Sequence, residues 1–321
     1  MAVFNKYYIG VDIGGTNVKC GIVDDGGKIL YKQSIKTESD RGYKEVVQDI
    51  AKLVQEVVET SNIPLKKIEW LGVGCPGICN KDTGIVEVSN NLNWHNVPLL
   101  TDLAKLTGFP VHIDNDANAA AYGEFIAGAA KGTSSAIIIT LGTGVGSGII
   151  LNKKMYSGMN YAGGEIGHMV IEADGAECTC GRKGCFEAYS SATGLIRMTK
   201  EALEKDRGSK MHELVELNGK ISARTAWNAA KLEDKSGKEV VEKFIKYLAC
   251  GITNVINIFQ PDIVCIGGGV CGEGDNLLKP LKKIVNAEVF SKNSNKKTDL
   301  AICKLGNDAG IIGAAMLGKL E

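Results

Sequence analysis

The 321-residue chain is 44% hydrophobic and 23% charged, and its 37 Lys+Arg balance 37 Asp+Glu. That is enough chain for two domains, each with its own core, and the zero balance removes the electrostatic case for a nucleic-acid or membrane-surface binder. The longest uncharged stretch, AIIITLGTGVGSGIIL, is broken by four glycines and reads as two strands and a turn, so no membrane partner is expected.

The opening MAVFNKYYIGVDIGG has no basic region followed by a long apolar core, so no signal peptide is expected. Most of the ten cysteines sit singly in apolar segments, Cys20, Cys265 and Cys303 among them. Thiols in such places point to a reducing, cytoplasmic setting.

In chain order, residues 7–35 alternate β-rich runs with turns at Gly14–Gly15 and Asp24–Gly27, which predicts a three-stranded antiparallel meander. Over 43–60, Val46, Val47, Ile50, Leu53, Val54, Val57 and Val58 share one helical face. IEWLGVGCPG reads as a strand, LLTDLAKLTG as a helix with a glycine stop, VHIDND as a strand and ANAAAYGEFIAG as a helix of small residues. The order then restarts. Strand, glycine turn, strand, strand covers 134–158, a cysteine-rich segment follows, then helices to about Phe259 and the strand DIVCIGGGV. The chain is therefore read as α/β with a β-β-β-α-β-α core written twice.

Three loops put glycines where a backbone can approach an anion: Asp12–Ile13–Gly14–Gly15–Thr16, the run through Gly142, Thr143, Gly144 and Gly146, and Gly267–Gly268–Gly269. Backbone N–H groups there can point at phosphate oxygens, and Thr16 and Thr143 add hydroxyls. None matches GxxxxGK[ST] or a Rossmann fingerprint. One such loop alone reads as a hairpin. Three, with two at equivalent points of a repeat, predict a nucleotide clamped between two domains. Asp12, at a strand end beside its loop, suits Mg²⁺ held mostly through water, or else a turn cap. Asp114, Asn115 and Asp116 stand where a strand ends and a helix begins. Helix capping needs one of them, so the trio reads as a site, with a carboxylate to accept a hydroxyl proton during attack on a γ-phosphate.

His168, Cys178, Cys180 and Cys185 are one imidazole and three thiols, the donor set of a closed tetrahedral zinc site. Four protein ligands leave no open position, so the zinc is read as structural. Glu165 and Glu187 flank the set, are poorer zinc ligands beside thiolates, and suit the hydroxyls of a polyhydroxy substrate.

These residues together resemble the ROK family of sugar kinases and sugar-responsive repressors, and more narrowly its bacterial glucokinases. The likeness runs over essentially the whole chain. It is carried by DIGGT at 12–16, CPG at 75–77, NNLNW at 90–94, IDNDANAAA at 113–121, LGTGVG at 141–146, GGEIGH at 163–168 and CTCGRKGCFEAYSS at 178–191. The resemblance implies the actin-like (ribonuclease H-like) ATPase fold, two domains around a cleft. The expected division is 1–117 with about 305–321 in a small domain and 118–304 in a larger one carrying the zinc segment. It implies Asp116 as the base for a sugar 6-hydroxyl, with sugar contacts from Gly77, Asn91, Asn115, Glu165, His168 and Glu187, where His168 serves both zinc and sugar. ATP with Mg²⁺ and a hexose, preferably glucose, are the expected partners, and a homodimer is expected from family habit and the long helix over 236–259. The alternatives are an N-acetylmannosamine, N-acetylglucosamine or fructose kinase, or a sugar-sensing repressor. Six residues before Tyr7 are too few for a DNA-binding domain, which disfavours the last.

Overall fold

The computed structural model describes residues 6–320. Residues 1–5, on which part of the leader reading rests, lie outside that range. The first sheet begins with the expected meander: β1 (Tyr7–Ile13), β2 (Asn17–Asp24) and β3 (Ile29–Lys36). Its turns are closed by Gly14 N–H to the Asn17 carbonyl at 2.9 Å and Gly27 N–H to the Asp24 carbonyl at 3.0 Å. Helix α1 (Tyr43–Ser61) buries all seven apolar positions named above, and ends at Asn62 with a left-handed φ of 56°. The connection from β4 (Ile68–Cys75) carries a small antiparallel sheet of β5 (Ile78–Asn80), β6 (Ile85–Ser89) and β7 (Trp94–Val97), which periodicity had not singled out. Then come α2 (Leu99–Thr107), stopped by Gly108 at φ 76°, β8 (Val111–Asn115) and α3 (Asp116–Ala127). Sheet order is β3-β2-β1-β4-β8, with β4 parallel to β1 and β8. Val11 stands opposite Val73, and Val73 opposite Ile113, so the apolar rows of the parallel strands line up in one core.

The second copy has β9 (Ala136–Leu141), β10 (Val145–Leu151), β11 (Lys154–Tyr156), then α4 (Phe186–Ser190), α5 (Ala192–Lys205), α6 (Met211–Asn218), α7 (Thr225–Lys231) and α8 (Lys235–Phe259). It closes with β12 (Ile263–Gly267), α9 (Asp275–Glu288), β13 (Asp299–Ile302) and α10 (Ala309–Ala315). Its sheet order is β11-β10-β9-β12-β13, matching the first sheet place by place. No helix of the described residues is long and apolar enough to cross a membrane.

The compact units divide the chain differently from the expected domains. The first takes the described part of Met1–Ile138 with Gly148–Gly164 and Cys303–Glu321; the second takes Ile139–Ser147 and Glu165–Ile302. Residues 118–138 join the first unit because α3 packs on α10 with no room to spare. A Cβ on Gly313 would stand 1.6 Å from the Ala119 carbonyl oxygen, and one on Gly123 2.2 Å from that of Ala309. In turn α10 lies on β1 and β4, where a Cβ on Gly10 would meet the Ile311 oxygen at 2.0 Å and one on Gly72 the Ala314 oxygen at 1.8 Å. Glu124 fastens the returning chain. Its buried carboxylate accepts the N–H groups of Ala129, Lys304 and Leu305 at 2.8, 3.1 and 2.7 Å, which gives a buried polar group three backbone donors.

Candidate functional site

In the first unit the junction of β8 and α3 is set by Asn115. Its Oδ1 accepts from the N–H groups of Ala117 and Asn118 at 2.8 and 3.2 Å, and its Nδ2 donates to the Gly77 carbonyl at 3.0 Å. Capping therefore falls to Asn115. Asp116, the next residue, opens α3, where the helix dipole favours the carboxylate anion. Gly77 has φ 110° and a Cβ there would meet the Val88 oxygen at 2.1 Å, so only glycine brings this carbonyl to Asn115. Burial pushes the Cys75 thiol well up, and neighbouring Cys79 and the Asp116 charge add to it. Cys75 thus stays protonated beside Asp116.

The loop after β1 is braced by Thr37, whose hydroxyl donates to the Gly14 carbonyl at 2.6 Å and whose N–H donates to that of Thr16 at 2.9 Å. A Cβ on Gly15 would lie 4.0 Å from that of Asn91, so a phosphate-type loop and a sugar candidate are neighbours. Asp12 fits against Gly310, where a Cβ would meet its carboxyl at 2.6 Å. Lys19 Nζ stands 3.1 Å from Asp12 Oδ2, a cation that the sequence reading did not use. One carboxylate oxygen is thus engaged by an ammonium, and a Mg²⁺ reached through water suits the other.

In the second unit, Gly142 N–H donates to the Gly144 carbonyl at 3.0 Å, and the Gly142 carbonyl accepts from Ala192 N–H at 2.9 Å. The Thr193 hydroxyl donates to the Thr143 carbonyl at 2.8 Å. Gly146 lies on β10. Gly268, at φ 94°, would drive a Cβ to 2.3 Å from the Leu141 oxygen, so the loop at Gly267–Gly269 sits beside the loop at Gly142–Gly146. A cleft of about 630 Å³ opens there, lined by Gly142, Asn218, Arg224, Trp227, Gly269 and Glu273 among others. No motif marks its α6–α7 wall, and only the packing of α7 brings Trp227 and Arg224 to the glycines.

The ligand atoms of His168, Cys178, Cys180 and Cys185 all lie within 4.8 Å of one another. Cys178 Sγ is 3.7 Å from His168 Nδ1, and Cys180 Sγ is 3.7 Å from Cys185 Sγ. A tetrahedral ion with metal–sulfur bonds of about 2.3 Å has ligand–ligand edges of about 3.8 Å, so the four residues fit zinc. The hairpin that presents them turns on Gly181, at φ 87°, and on Gly184, whose Cβ would meet the Glu172 oxygen at 1.7 Å. Burial raises the Cys178 thiol and pushes that of Cys185 up to about 12, where the neighbouring cysteines add to it. The backbone around Arg182 lowers that of Cys180. To ligate a metal the three thiols would have to give up their protons, and the three thiolates would then need the cation's charge beside them.

Glu187 rides on α4, seated against α8 where a Cβ on Gly251 would meet the Phe186 ring at 2.3 Å. Its Oε2 accepts Val145 N–H at 2.8 Å and its Oε1 accepts the Thr179 hydroxyl at 3.4 Å. Glu165 immediately precedes the 3-10 turn Ile166–His168, and its carbonyl accepts His168 N–H at 3.1 Å.

The ROK family model matches residues 8–321. The chain belongs to the ROK family. This ROK protein is 36% identical to the glucokinase of Halalkalibacterium halodurans, over 99% of its own length and 96% of that enzyme's. It is 36% identical to the glucokinase of Thermotoga maritima, over 97% and 96%. A ROK glucokinase from Streptomyces griseus, solved with glucose and AMPPNP, matches it at TM-score 0.79 and 31% identity, over 97% of this chain and 98% of that one. The fold is the actin-like ATPase fold with two domains, as the sequence led one to expect.

Proposed function

We propose that this ROK protein transfers the γ-phosphoryl group of ATP to the 6-hydroxyl of glucose, with Mg²⁺ accompanying the nucleotide and a structural zinc in the His168–Cys178–Cys180–Cys185 set. One observation carries the reading beside the family membership. Each unit independently sets a phosphate-type glycine loop against a candidate sugar-binding side chain: Gly15 by Asn91, and Gly144–Val145 by Glu187.

In this reading the sugar oxygen attacks the γ-phosphorus, the bond to the ADP oxygen breaks, and the hydroxyl proton passes to Asp116. The transition state is loose, so the protein mainly positions and neutralises. Gly14, Gly15, Thr16 and the glycines at 142–146 and 267–269 offer N–H groups to phosphate, Asp12 faces Mg²⁺, and the Trp227 cleft takes the nucleoside. Asn115 Oδ1 is committed to α3 and one Nδ2 hydrogen to Gly77, which leaves the other for a sugar hydroxyl. Zinc on His168 Nδ1 leaves Nε2 for a second. With four protein ligands the zinc holds the loop between Glu165 and Glu187 and takes no substrate. The test is Asp116→Asn, nearly isosteric but unable to take the proton. Glucose-dependent ADP release should fall at least about 100-fold with the melting temperature little changed. A variant keeping more than about a tenth of wild-type kcat removes Asp116 from the base role.

A further inference from the structure

Asp114 is 2% exposed, and its two oxygens have different surroundings. Oδ1 accepts the Asn115 N–H at 2.7 Å and the Asn118 side-chain amide at 2.9 Å. Oδ2 is buried and makes no hydrogen bond among the described residues. The cation that faces it is Lys81, whose Nζ is 3.6 Å away. A buried carboxylate is costly without such a charge.

Lys81 stands in the turn between β5 and β6, and the same ammonium donates to the Ser157 hydroxyl at 3.2 Å. The next residue, Asp82, accepts the Tyr161 hydroxyl at 2.5 Å, while Tyr161 itself is held at φ 59°, a conformation that a bulky residue keeps only when its surroundings fix it. So one short turn fastens the segment 157–164 at two points. That segment runs directly into Glu165.

We propose that Lys81 is a positioning residue for the sugar reaction, whose ammonium ties the base segment Asp114–Asp116 to the segment that delivers Glu165. The inference rests on the hexose-kinase reading above. The chain of contacts is short. Lys81 fixes the rotation of the Asp114 carboxylate, Asp114 fixes the Asn115 backbone and the Asn118 amide, and these fix the first turn of α3, where Asp116 stands. On the other side, Lys81 fixes Ser157. No contact of Lys81 with substrate is required, and a misplacement of about 1 Å in such a constellation costs on the order of 10²-fold.

The experiment measures kcat and KM for glucose and for ATP in the wild type, K81M, K81R, S157A and K81M/S157A, with melting temperatures. K81M should lower kcat/KM for glucose at least tenfold while KM for ATP stays within twofold, and K81R should recover part of the loss. K81M/S157A should be no worse than K81M within twofold, because both changes cut one link. Should K81M unfold through the unpaired carboxylate, K81M/D114N removes that charge and keeps an oxygen for the two Oδ1 bonds; it should melt near the wild type and still show the tenfold loss. A glucose kcat/KM within twofold of wild type in K81M or in K81M/D114N overturns the inference alone. A wild type that releases no ADP in response to any hexose overturns the kinase reading and the inference with it.

Discussion

Gly144→Ala separates a role in reading substrate from a role in the fold. A Cβ at this position would lie 2.2 Å from Glu187 Oε2, 3.0 Å from its Cδ and 3.7 Å from its Oε1. Gly144 is not among the residues with left-handed backbone, so alanine meets no backbone strain. The obstacle is the end of a flexible side chain, which escapes by retreating about 1 Å to ordinary contact distance. That retreat breaks the 2.8 Å bond from Val145 N–H to Oε2. A hydrogen bond to a charged group contributes about 1.5–3 kcal/mol. Glu187 is only half-buried, so its displaced carboxylate regains hydrogen bonds to water, and the fold should feel less of this than the site does. Charged in full to the transition state, the same figure is about 10- to 150-fold in kcat/KM. The assay is steady-state kinetics in glucose and ATP beside a thermal melt. The expected result is a loss of kcat/KM for glucose in that range with the melting temperature lowered by less than about 4 °C. An unchanged kcat/KM for glucose would refute the claim that Glu187 and this loop work as one element.

Two further predictions concern metal and pH. Cys180→Ser, or a chelator acting on the wild type, should remove near-stoichiometric zinc, lower the melting temperature by more than about 4 °C and raise KM for glucose; protein purified without chelator that carries no zinc would sink the metal assignment. Asp234 caps α8, and although burial would raise its carboxyl, the N–H groups of Gly237 and Lys210 and the Ser209 hydroxyl hold it below the usual 3.8. A depressed carboxyl stabilises the fold above its unfolded value and loses that contribution as pH falls through the folded one, so the stability gap between wild type and Asp234→Asn should narrow as pH drops below about 4, and a gap that widens there would contradict the assignment.

Local signals carried much of the architecture. The seven apolar positions of α1 differ in spacing from their polar neighbours, and all seven are buried. The two glycine turns of the first meander close as their composition implies. The Cys/His set was legible because its four donors lie close in sequence and need one short hairpin to meet. Features that depend on distant partners left no such mark. Strands β5, β6 and β7 have three to five residues each, too few for alternation to speak over the surrounding turns. Glu124 belongs to no motif, and its burial follows from N–H groups some 180 residues away. The helix of small residues and the return of about 305–321 to the first domain were both expected, but their packing on each other was not, and that contact moves 118–138 into the first unit. The candidate sugar and phosphate residues fall into two sets, one in each unit: Asp12 to Thr16 with Gly77, Asn91, Asn115 and Asp116, and the glycines after Leu141 with Glu165, His168 and Glu187. Lys81 and Trp227 join them only in three dimensions, because neither belongs to a motif.

The central claim is that glucose is the hexose phosphorylated. A coupled assay at saturating MgATP should compare kcat/KM for glucose, mannose, fructose, N-acetylglucosamine and N-acetylmannosamine. A site that hydrogen-bonds several adjacent hydroxyls rejects analogues that lack or block one of them, so glucose should give the highest value, with phosphate found on the 6-hydroxyl. A higher kcat/KM for fructose or for either N-acetyl sugar would contradict the glucose assignment.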